Sequence, residues 1–135
     1  MKSLSEKIIE FYEKLSSWEH SIVEGSGLSL PQVHTIEILG MYKNLRMKEL
    51  ALKMGVTTGT LTVTIDKLEK INLVKRVPNP NDRRSYVIEL TKKGKEYHVQ
   101  HSNYHLELTK ECTRDFSKKD VEIFSKLLNE FLKNL

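Results

Sequence analysis

The sequence predicts a mainly helical chain carrying one small β-hairpin, and three observations lead to that fold class. Apolar residues recur at helical spacing over most of the 135 residues, as amphipathic helices require. Two segments, Asn72 to Pro78 and Ser85 to Leu90, instead alternate apolar and polar residues around the turn-rich Asn79-Pro80-Asn81-Asp82, the pattern of paired strands. Glycine, proline and hydroxyl residues punctuate the periodic segments where helix ends need them.

The elements follow in order. Leu4, Ile8, Phe11, Tyr12, Leu15, Trp18 and Ile22 place one long helix over residues 3–24, extending about 33 Å at ~1.5 Å per residue. Gly25-Ser26-Gly27 ends it. Ser29 caps a second helix, and Pro31 sits in its first turn, where no intrahelical donor is needed. Val33, Ile36 and Leu39 face inward there, and Gly40 marks its end. Met47 to Met54 forms a short third helix with Leu50, Ala51 and Met54 inward. Gly55-Val56 is a tight turn, and Thr57 caps a fourth helix whose buried stripe is Leu61, Ile65 and Leu68. The hairpin comes next. Thr91 then caps a fifth helix running to about residue 114. Ser117-Lys118-Lys119-Asp120 is a capping box with Asp for the usual Glu, opening a sixth helix with Val121, Phe124, Leu127, Leu128 and Phe131. Two helices joined by a Gly turn and followed at once by a basic-tipped hairpin make a winged helix-turn-helix. Long terminal helices on so short a chain leave apolar faces that need a partner, so a homodimer is expected.

Composition narrows the function classes. Apolar residues make up 39% and charged residues 30%, which places the chain among globular and not disordered proteins. A net charge of +4 is mild, so the placement of the charges matters more than their sum. The single cysteine, Cys112, excludes an intrachain disulfide and points to a reduced, cytoplasmic setting. Met1 to Glu10 carries Lys2, Glu6, Lys7 and Glu10 without an apolar core, so it does not read as a signal peptide. No window approaches 18 uninterrupted apolar residues, so no membrane partner is expected. No nucleophile or Gly-rich phosphate loop is apparent, and an enzyme is not expected.

Major-groove recognition needs small polar side chains near the start of a helix. Thr57, Thr58, Gly59, Thr60, Thr62 and Thr64 supply them, with Val63 and Lys67 on the same helix. Threonine can donate or accept at a base edge, and its methyl can meet that of thymine. The bland alternative is a Thr-rich surface helix with an ordinary cap. Asp82-Arg83-Arg84 at the hairpin tip places two guanidiniums where they reach phosphates or a narrow minor groove. There Asp82 could hold one arginine in a fixed rotamer. Taken alone these charges read as a solvated turn. Both elements fall in the right order, which favours double-stranded DNA as the partner.

Residues 47–94 resemble the core of the MarR family. The resemblance rests on E-L-A, the G-V-T turn, L-T-V-T-I-D-K-L-E-K, N-L-V-K-R, the P-N-D-R-R-S wing and L-T-x-x-G; Leu28 to Leu39 with Gln32 also resembles the family's second helix. It implies a repressor working as a triangular homodimer on a palindromic operator. The DNA-binding lobe would span about residues 29–90, and dimerisation helices about 3–24 and 91–135. Val63 departs from the pattern, since many members carry an arginine there.

A second site is suggested by the histidines. His98, His101 and His105 lie at i, i+3 and i+7 of the fifth helix, and His101 with His105 forms an H-x-x-x-H pair able to chelate one divalent ion. His34 on the second helix and Glu19 on the first are further candidates. Three nitrogens and one carboxylate suit tetrahedral zinc. The alternative is helical histidines facing solvent or a dimer interface. The set resembles the AdcR- and ZitR-like zinc-sensing branch of the family, which implies Glu19, His34, His101 and His105 as one zinc site per subunit. Val33 and Gln100 stand where that branch places carboxylates of a second site, so at most one is expected. Two other effectors remain open: a small organic ligand, with the histidines structural, and oxidation of Cys112. Glu111 beside Cys112 disfavours the thiolate that oxidation needs.

Overall fold

Helix ends fall where the capping residues put them. The computed structural model describes residues 1–135 as α1 (Lys2–Glu24), α2 (Leu30–Tyr42), β1 (Leu45–Arg46), α3 (Met47–Met54), α4 (Thr58–Lys70), β2 (Val74–Asn79), β3 (Asp82–Leu90), α5 (Lys92–Cys112) and α6 (Lys118–Lys133). The Ser29 side chain accepts from Gln32 N at 3.4 Å while Gln32 Oε1 accepts from Ser29 N at 2.8 Å, a complete capping box. Gly55, at φ 67°, closes α3 in the left-handed region that glycine enters without strain. Thr57 Oγ1 then accepts from Thr60 N at 3.1 Å to start α4.

Gly40 does not end α2, which continues to Tyr42. A Cβ at Gly40 would collide with the ring of His98, so this glycine serves close packing and not termination. The hairpin also differs from expectation. β3 is central in a three-stranded antiparallel sheet of order β1-β3-β2. β1, pairing Leu45 with Ile88 and Arg46 with Val87, is too short at two residues to leave a periodic signature. β3 starts at Asp82 and not at Ser85, so Arg83 and Arg84 are strand residues at the tip, beside a register irregularity at Pro78/Asn79.

The chain divides into two units, Met1–His98 and Val99–Leu135. In the first, Ile36, Leu39, Leu45, Leu50, Ala51, Leu61, Ile65, Leu68, Leu73, Val74, Ile88 and Leu90 form one buried cluster joining α2, α3, α4 and the sheet. Each large aliphatic side chain buried there contributes about 1.5–3 kcal/mol. This core holds α4 and the wing on one scaffold. Gly94 is required where α5 starts: a Cβ would run into the carbonyl oxygen of Leu73. Thr91 Oγ1 fixes the same joint, donating to Asn72 O at 2.6 Å and accepting from Gly94 N at 3.0 Å. Gly94→Ala is therefore expected to cost about 2 kcal/mol or more, read as a lower thermal midpoint. An unchanged midpoint would contradict that packing.

Within the second unit, Ser117 and Asp120 cap α6 reciprocally. No residue of α6 is buried, although Val121, Phe124, Leu127, Leu128, Phe131 and Leu132 are large and apolar. Leu4, Ile8 and Phe11 on the first half of α1 are likewise exposed in the single chain. No helix is long and apolar enough to cross a membrane.

Candidate functional site

The outward face of α4 follows from its inward one. With Leu61, Ile65 and Leu68 buried, about 100° per residue puts Gly59 and Val63 close to opposite them, with Asp66, Lys67 and Lys70 on the same outer side. Val63 is 55% exposed, with Thr60 exposed beside it and Thr58 exposed at the start of the helix. The helix's own backbone engages two of the hydroxyls. Thr57 Oγ1 accepts from Thr60 N, and Thr62 Oγ1 donates to Thr58 O at 2.7 Å. Thr62 therefore offers mainly its methyl outward, and the Thr60 hydroxyl oxygen accepts from Thr57 Oγ1 at 3.1 Å, which leaves Thr60 its methyl and one O–H donor.

Two carboxylates on α4, Asp66 and Glu69, would repel a phosphate backbone if left bare. Arg76 of β2 holds both: Nη2 donates to Asp66 Oδ1 at 2.6 Å and Nη1 to Glu69 Oε1 at 2.7 Å. Its backbone N–H adds a bond to Glu69 Oε2 at 3.3 Å. The hydrogen bond to Asp66 leads in holding the guanidinium pKa above its ordinary value. Arg76 thus screens acidic charge at the surface and ties the wing strand to α4. Sequence reasoning missed this clamp, because seven to ten residues and a turn separate its members. Its only trace was the arginine of N-L-V-K-R.

The wing tip is built differently from the sequence expectation. Asp82 Oδ1 accepts from the backbone N–H of Arg84 at 3.0 Å, shaping the turn, and holds no guanidinium. Asn79 accepts from Asn81 N at 3.0 Å and donates to Ser85 Oγ at 3.1 Å. A short Asp side chain reaches nearby backbone more readily than a long arginine head. Arg83 and Arg84 are exposed, and their guanidiniums stand free of the chain's carboxylates. Lys67 is exposed one turn beyond Val63.

The histidines other than His20, whose Nδ1 lies 2.9 Å from Ser16 O on exposed α1, fall into three settings. His34 Nε2 lies 3.2 Å from Glu19 Oε1, joining α2 to α1 within the first unit. His101 and His105, within the second, bring their Nε2 atoms to 3.1 Å with the rings edge-on, and His101 is 2% exposed. His98 packs against Gly40 with a buried Nδ1 that has no hydrogen-bond partner, which sets it apart from the other two as a packing histidine. Glu37, three residues after His34, is a half-buried carboxylate that sequence reasoning left out.

Known proteins agree with this geometry. A model of the MarR family matches residues 28–86. The chain is 37% identical over 68 residues to the uncharacterized HTH-type transcriptional regulator YfiV of Bacillus subtilis, an alignment covering 50% of this chain and only 42% of that protein. It is 25% identical over 130 residues to the homoprotocatechuate degradative operon repressor of Escherichia coli, covering 96% and 88% of the two chains. Its fold is similar to that of an E. coli MarR mutant crystallised with operator DNA, with a TM-score of 0.71, 25% identity and 96% and 93% coverage. By the motifs of residues 47–94, the three-stranded wing beside α4 and these likenesses, the part of the chain at residues 28–86 matches the MarR family of winged-helix transcriptional regulators.

Proposed function

We propose that the protein is a dimeric repressor that binds a palindromic DNA operator in the cytoplasm through α4 and the wing. The observation that carries this is the pairing, on one rigid lobe, of an exposed Thr/Val face on α4 with two unpaired arginines at the tip of β3. Helix side chains read bases, and the wing arginines hold phosphates or the minor groove. The operator complex of the E. coli MarR mutant and the repressor among the relatives support it. Fluorescence anisotropy with duplex DNA tests it directly.

Arg76→Met should weaken operator binding about tenfold or more, because it bares Asp66 and Glu69 and frees the wing. Adding Asp66→Asn and Glu69→Gln should restore part of that loss by removing the repulsion. If Arg76→Met binds like the parent, the clamp has no role in binding.

We further propose zinc, or a similar divalent ion, as the effector, held by His101 and His105 with Glu19 and His34. The 3.1 Å between the two Nε2 atoms is close to the roughly 3.3 Å that two nitrogens take on one tetrahedral zinc at ~2.0–2.1 Å. The Glu19–His34 contact within the first unit presents a carboxylate and an imidazole together. When bound, zinc would act as a cross-link between helices and set which lobe geometry meets DNA. His101→Ala should lose most zinc affinity in calorimetry. For the parent, affinity should fall in acid, because protons compete with the ion for its ligands. An absence of saturable zinc binding would exclude this effector and leave a small organic ligand as the alternative.

A further inference from the structure

The reading face of α4 lacks the side chains that recognise purines bidentately. From Thr57 to Thr64 there is no Arg, Lys, Asn or Gln, the groups that grip guanine or adenine in the major groove. What that stretch does present is small: threonine side chains, each with a methyl beside its hydroxyl, around one exposed apolar residue. Val63 stands at the outward apex, 55% exposed, with Gly59 one turn before it. A Cβ at Gly59 would find its nearest neighbour 3.9 Å away, so the missing side chain opens the helix backbone to close approach and not to internal packing. The Thr62 hydroxyl is engaged by Thr58 O, and Asp66 is held by Arg76, so neither competes for a base edge.

The one apolar group that the major groove displays is the C5 methyl of thymine. We propose that Val63, flanked by the Thr60 and Thr62 methyls, reads thymine methyls, so that each half-site presents A·T pairs where α4 enters the groove. Specificity would come from shape and methyl contact there, while Arg83 and Arg84 supply phosphate attraction without base choice. The inference rests on the DNA-binding function proposed above and names the class of sequence that function selects.

Uracil replaces thymine without altering base pairing and removes only the methyl, so it is the direct probe. A duplex selected from random sequence by the parent protein is compared with the same duplex carrying uracil at the half-site thymines. Each methyl buried against Val63 is worth about fourfold in affinity, so the parent should bind the palindromic uracil duplex more than tenfold more weakly. Val63→Ala should weaken binding to the thymine duplex and respond to uracil by less than threefold. Val63 is exposed, so that variant should keep the parent's thermal midpoint. Equal parent affinity for thymine and uracil duplexes would overturn the methyl reading and leave DNA binding standing. An undiminished uracil effect in Val63→Ala would assign the methyl contact to other residues. Failure to bind any duplex above random DNA would overturn the DNA-binding function and this inference together.

Discussion

Replacing both wing arginines, Arg83→Ala with Arg84→Ala, should cut operator affinity about a hundredfold at physiological salt and leave the fold intact. Both side chains are exposed at the tip of β3 and hold no partner in the chain, so removal strands no buried group. Each phosphate neutralised contributes about 0.9 to the slope of log affinity against log salt. A dimer loses four arginines, so the slope should become shallower by up to about 3.6, with affinity for operator and random DNA falling together. The turn itself should persist, because Asp82 shapes it through the Arg84 backbone. Unchanged affinity and slope in the double variant would remove the wing from the DNA interface.

Leu128→Asp with Phe131→Asp in α6 should convert the protein to a monomer at micromolar concentration. α6 buries nothing in the single chain, yet Phe124, Leu128 and Phe131 recur on one face at helical spacing. A twofold interface counts each residue twice. Four large apolar side chains at about 1.5–3 kcal/mol each are comparable to the roughly 8 kcal/mol that holds a micromolar dimer, and buried aspartates add a desolvation cost. Operator binding should fall with it, because one lobe meets one half-site. A dimer that survives both substitutions in sedimentation would place the interface elsewhere.

How much of this could be read from the residues varies with the range of the interaction. Helix starts were legible because a cap acts over three residues: Ser29 with Gln32, Thr57 with Thr60 and Ser117 with Asp120 all do what their spacing implies. The buried stripe of α4 was equally plain. Gly40 misled, since glycine that ends a helix and glycine that admits a neighbour look alike until His98 is seen against it. β1 was invisible at two residues, and Arg83-Arg84 hid the start of β3 by breaking its alternation. Which residues α4 and the wing tip leave exposed was readable residue by residue, but the Arg76 clamp was not. It joins α4 to β2 across a turn, and only the fold says which carboxylates an arginine will meet. The histidine pattern showed the His101–His105 pair, whereas His98 belongs to packing against α2 despite sharing their spacing.

Sequence selection from a random duplex pool, followed by measurement of the number of chains bound per selected duplex, tests the proposed function most directly. The expected product is an A·T-rich inverted repeat with half-site centres about 10–10.5 base pairs apart or a multiple of that, bound by two chains and lost with Arg83→Ala and Arg84→Ala. Recovery of no repeat, or of one chain per duplex with the arginine variant binding as well as the parent, would contradict it.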